Sequence, residues 1–329
     1  MDGLVRLMAS TGGLHMFPPL VQLHIRKADI KGAFERIEQP RFSFSWAYEP
    51  IWSSLSSETR DHCANRVRAV FSQSSIDSTV RETFVEIAYM AHVTETASKT
   101  GTMQRIELPR LTESHFYLIN RLLTSPRMLT PSEAFIHLRS TDMTQDHFVV
   151  DSKRFFVLSI SDSVEEALRI SGLLFFKMVK GGARERWDQH VNHLWLLNGH
   201  LRRISVWLHG YNRGSPSSSK DISCMHIHDS TEYHPVLSAR GLLIWASLIG
   251  EAAAAASERE VWIWPRPYAA DPGIYREILA ELLGSASDVS DASLPEEDLE
   301  FCRIFHLGIL QNFFWDVRAE ISRVLHGKP

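Results

Sequence analysis

The chain has 329 residues, 44% hydrophobic and 22% charged, with a formal charge of −4. These are ordinary globular values, and they exclude wholesale disorder and the fibrous and membrane-embedded classes. The acidic balance supplies no global attraction to phosphate backbones, so direct nucleic-acid binding is not expected.

The first 50 residues carry Pro18, Pro19, Pro40 and Pro50 among scattered aromatics without sustained periodicity. Residues 1–50 are therefore expected to wrap over the domain as irregular segments or short helices. The opening MDGLVRLMASTGGLHMF has Asp2 beside its start and a broken apolar stretch, which does not fit a secretory leader. A basic run of Arg26, Lys27 and Lys31 is interrupted by Asp29 and Glu35 and reads as solvated surface.

From residue 51 onward the helical period takes over. Between Ser78 and Thr96, Val80, Phe84, Ile87, Ala88 and Ala91 recur at spacings of three and four, which predicts one buried helical face. In HFVVDSKRFFVLSIS the β-branched and aromatic residues predict the only convincing strands. DSVEEALRISGLLFFKMVKGG then carries its own boundaries: Ser163 and Glu166 have capping-box spacing, and Gly181 and Gly182 suit a left-handed stop. A second stripe, Trp187, Val191, Leu194, Leu201, Ile204 and Leu208, ends at Gly210 and predicts an antiparallel partner for that helix.

Residues 212–223 are rich in serine and glycine and predict a flexible loop. Pro235 suits the first turn of a third long helix, whose apolar stretch from Leu242 to Ala256 includes Glu251. A membrane span needs about 20 apolar residues, so this stretch reads as a central, buried helix. A short helix is expected over Gly273–Leu283 and a second flexible loop near 284–295. Ser293 and Glu296 then start a C-terminal helix with a stripe from Leu299 through Cys302, Phe305 and Ile309 to Val324. The fold expected is mainly α: a single large helical-bundle domain over 51–329 with packed antiparallel helices and few or no short strands.

Two of these helices carry a resemblance. VEEALRISGLLFFKMV and HPVLSARGLLIWASLIGEAAAAASEREVW resemble the fungal-specific transcription factor domain, the helical regulatory region that follows a six-cysteine zinc cluster in fungal regulators. The matching residues are Glu166, Ala167, Arg169, Leu173 and Leu174, then Leu242, Leu243, Trp245, Gly250, Ala252, Glu258, Arg259 and Trp262. The chain departs from the pattern in having only Cys63, Cys224 and Cys302, with no CxxC pair. Neither a disulfide framework nor a zinc-cluster DNA reader can be built from these. The resemblance implies a non-catalytic regulator in the nucleus or cytoplasm that acts through a protein partner, a homodimer contact or a small-molecule effector, with no metal and no cofactor.

An alternative reading stays open, that of a small-molecule-binding protein or non-redox enzyme (isomerase, cyclase or hydrolase) of specialised metabolism. Its candidate catalytic residues are His226, His228 and Glu232 in CMHIHDSTEYHP, where two imidazoles two residues apart project to one side of an extended segment. Trp187, His190, Trp245 and Trp262 are candidates for lining a ligand cavity between helices. The familiar enzyme signatures, a GxSxG elbow, a P-loop, GxGxxG and HExxH, do not occur.

Overall fold

A computed structural model describes residues 6, 10, 12–72, 74–102, 108–125, 148–151, 154–156, 160–181, 191–213, 235–260 and 273–283, together with 302, 304, 305 and 321. Among these residues eight helices longer than one turn follow in order: α1 (Pro19–Arg36), α2 (Ser57–Phe71), α3 (Ser78–Lys99), α4 (Leu108–Thr124), α5 (Ile160–Gly181), α6 (Val191–Arg213), α7 (Arg240–Glu260) and α8 (Gly273–Leu283). Single turns at Leu14–Met16, Ile51–Ser54 and Pro235–Ser238 and one antiparallel hairpin, β1 (Phe148–Asp151) with β2 (Arg154–Phe156), complete the described elements. The fold is mainly α, as the helical periodicity predicts.

Helices α2 and α3 form a hairpin held at its surface by a bidentate bond from Arg68 to Glu82. Both partners are well exposed, so this pair contributes little. The stabilisation lies underneath, where Val67, Phe71, Val80, Phe84 and Ile87 are buried. Helix α4 lies along α3 and α1, α5 packs on α4 and α6, and α7 and α8 complete the layer against α5 and α6. Buried side chains from Ile30 to Ile321 belong to one contiguous hydrophobic cluster, and burying each large apolar side chain is worth about 1.5–3 kcal/mol.

Two glycines explain how closely the helices approach. A Cβ at Gly172 of α5 would stand 3.0 Å from Leu122 Cδ1 of α4 and 3.4 Å from Phe84 Cζ of α3. A Cβ at Gly250 of α7 would stand 2.3 Å from Tyr275 Cε1 of α8 and 2.9 Å from Leu197 Cδ2 of α6. Only a residue without a side chain lets Tyr275, itself fully buried, lie across α7 at that point.

Three boundaries differ from the sequence reading. Residues 19–36, expected to be irregular or short-helical, form an 18-residue helix begun by Pro18 and Pro19. Proline at the first helical position loses no intrahelical bond, so it starts the helix and does not break it. Helix α5 begins at Ile160, one turn before the predicted cap, with Asp162 in its first turn. Ser163 therefore lies inside the helix with its hydroxyl buried and unbonded, and Glu166 reaches forward to Arg169 instead of back to a cap. Helix α6 continues past Gly210 to Arg213. The short helix at Gly273–Leu283 lies where the sequence places it. Almost all of both predicted loops, and of the C-terminal helix all but four positions, lie outside the described residues; of those four Cys302, Phe305 and Ile321 are buried.

Candidate functional site

The most unusual local chemistry sits where the chain leaves α1. Residues 41–50 run over the start of α4 without regular secondary structure. Among the described residues, no backbone–backbone hydrogen bond involves residues 42–48. Two buried carboxylates take the place of a ladder. Asp29 Oδ2 of α1 accepts the backbone N–H groups of Arg41 (2.6 Å) and Phe42 (2.9 Å). The two oxygens of Glu113, on α4, accept those of Ala47 (2.8 Å) and Tyr48 (2.7 Å). Asp29 is 1% exposed and Glu113 0%, so these donors offset the burial of both carboxyl groups. Further on, Ile51 N–H donates to Ser114 Oγ, and Arg110 donates to the carbonyls of Glu49 and Pro50 and to Ser53 Oγ.

Between the two carboxylate clips, Phe44 and Trp46 project from alternate positions onto aromatics fixed in the body of the protein. The Trp46 ring lies 4.5 Å from that of Tyr117 on α4 and 6.2 Å from that of Trp52, while Phe44 lies 5.3 Å from Tyr117. Trp52 is 7% exposed whereas Trp46 is 37% exposed, so Trp46 forms the outer layer of the stack.

A polar triad borders this stack. Tyr117 Oη donates to Glu86 Oε1 of α3 (3.3 Å) and accepts from Arg121 Nη1 (3.0 Å), which also stands 3.2 Å from Glu86 Oε2. Burial pushes the Glu86 carboxyl above its ordinary range, against the opposing pull of Arg121 and of the Tyr117 hydroxyl. Burial likewise raises the Tyr117 phenol, despite its bond from Arg121. Perturbed groups at a half-open edge can hold or pass a proton.

A second polar cluster lies in the seam between α5 and α6. Arg169, 2% exposed, forms a bidentate pair with Glu166 one turn before it on α5. His200 of α6 is buried beside this pair, with Nδ1 unbonded. Burial lowers its pKa to about 4; Glu166 acts to raise it, and Arg169 and Arg203 to lower it further. Further along α6, Ser205 Oγ lies 2.8 Å from Glu277 Oε1 and 3.1 Å from Glu281 Oε1 of α8.

Of the residues singled out by sequence, Trp245 is buried at 1% exposure in a cluster with Phe84, Phe175 and Phe305, at ring separations of 5.7, 5.8 and 5.7 Å. Trp187, His190, Trp262, His226, His228 and Glu232 lie outside the described residues. Among the described residues, no group of three or more His, Cys, Asp or Glu side chains is arranged to hold a metal ion. No described helix is long and apolar enough to cross a membrane. Sequence reasoning placed Asp29 on a solvated surface, whereas it is buried and holds the N–H groups of Arg41 and Phe42, and it passed over Glu113 and the Glu86–Tyr117–Arg121 triad. Their one legible signal was the alternation of Phe42, Phe44 and Trp46, a period of two typical of an extended segment.

No family model matches this chain. No curated protein matches it either, nor does any solved structure.

Proposed function

We propose that the chain is a transcription-factor-like regulatory protein that acts through a protein partner or bound effector and has no zinc-cluster DNA reader of its own. One observation supports this reading above the rest: most of the described residues that carry the resemblance meet in one packed unit. Ala167, Leu173 and Leu174 of α5 and Leu242, Leu243, Trp245 and Ala252 of α7 are buried in the common core. Gly250 admits Tyr275, and Glu166 pairs with Arg169. Leucine and alanine are common in any helix, but a glycine at a three-helix contact and a buried Arg–Glu pair are position-specific demands. A nuclear or cytoplasmic setting belongs to the same reading.

A second reading, a small-molecule-binding protein or non-redox enzyme, draws on the Glu86–Tyr117–Arg121 triad, whose raised carboxyl stands beside an aromatic surface. Native mass spectrometry of the purified chain after incubation with host extract separates the two. The regulatory reading expects a stoichiometric complex with a protein that itself binds DNA, or a retained effector that leaves unchanged. Conversion of a small molecule into a product of different structure would replace that reading with the enzymatic one.

A further inference from the structure

We propose that residues 43–48 form a displaceable latch occupying a peptide-binding site, and that the site's ligand in trans is an extended peptide with an aromatic residue at the register of Trp46. This goes beyond the regulatory reading and does not depend on it. The argument starts from what holds the segment. Glu113 binds the N–H groups of Ala47 and Tyr48, which every residue except proline possesses, so this clip recognises main chain and not sequence. Selectivity comes from the residue just before the clipped pair, whose ring must lie on Tyr117 and beside Trp52. Phe44, two residues earlier, supplies a second ring against Tyr117.

The receiving surface belongs to the body of the protein and does not move with the latch. Tyr117 and Glu113 are on α4, and Trp52 lies in the turn that Ser114 and Arg110 pin down. The latch, by contrast, lacks backbone pairing among the described residues, and its indole is the exposed layer of the stack. A segment tethered in this way competes with outside ligands at an effective concentration of order millimolar, so in the resting protein it masks the site.

The test uses the full chain and a dye-labelled synthetic peptide with the sequence of residues 40–49, followed by fluorescence anisotropy. Trp46→Ala removes the competing indole from a partly exposed position, and its far-UV circular dichroism checks that the chain still folds. The proposal expects the Trp46→Ala chain to bind the peptide at least about tenfold more tightly than the unaltered chain. It also expects a peptide with alanine in place of that tryptophan to bind neither chain. Equal binding to both chains, binding that ignores the tryptophan, or no binding at all would overturn it. Amide exchange gives an independent readout: the N–H groups of Ala47 and Tyr48 should exchange faster in Trp46→Ala. Protection unchanged from the parent would show that the indole latches nothing.

Discussion

Burial of His200, with Arg169 and Arg203 near it, outweighs the pull of Glu166, so it stays neutral while the same side chain in the unfolded chain titrates normally. Its pKa falls from 6.5 to about 4 on folding. The unfolded state therefore takes up a proton first as pH drops, and stability declines from near pH 6.5 down to pH 4, by about 3 kcal/mol in all. His200→Leu should remove that slope; urea denaturation at pH 7, 5.5 and 4.5 checks it, and an unchanged pH dependence would assign the slope to other groups. Gly250 is a steric case. An alanine methyl would have to displace the Tyr275 ring and Leu197 together, which predicts a loss of about 2–3 kcal/mol for Gly250→Ala, readable as a drop in midpoint of thermal unfolding. Gly172→Ala meets only a methyl of Leu122 at close range and should cost less.

At the level of elements, what sequence could disclose depended on how local the cause was. The helix Gly273–Leu283 and the buried character of α7, read from its apolar stretch Leu242 to Ala256, were legible because the signal and the buried residues lie in the same segment. The start of α5 was misread because Ser163 and Glu166 have the spacing of a cap, while the competing demand comes from far away: Asp77 N–H bonds Glu165 Oε2 and Ser75 bonds Ser161, fixing the earlier turn against α3. The carboxylate clips were hidden for the same reason, since Glu113 meets Ala47 across 66 positions. The pair Glu166–Arg169 makes a prediction for the α5–α6 seam. Arg169→Met alone removes the bidentate partner of Glu166, whose side chain is 12% exposed, and should cost about 3 kcal/mol. Changing both residues to methionine should restore most of that loss, and a double-mutant cycle in denaturant tests it. A double variant as unstable as the single one would mean that the seam needs the charges themselves.

For the molecule as a whole, one apolar core ties segments from α1 to Ile321 together, so a change that unpacks Gly250 is expected to lower the stability of the whole body. Regulation by such a body requires no reaction at its surface, only an altered contact with a partner or an effector. Under the proposed reading the approach to DNA is made by another protein, in keeping with a net charge of −4. The most direct measurement is therefore to supply that approach artificially: fuse the full chain to a heterologous DNA-binding domain in a fungal host and read a reporter gene placed behind the corresponding site. The account predicts reporter output several-fold above or below that of the DNA-binding domain alone, with the effect lost in Gly250→Ala. Output equal to that of the bare DNA-binding domain, with the fusion folded and equally abundant, would contradict it.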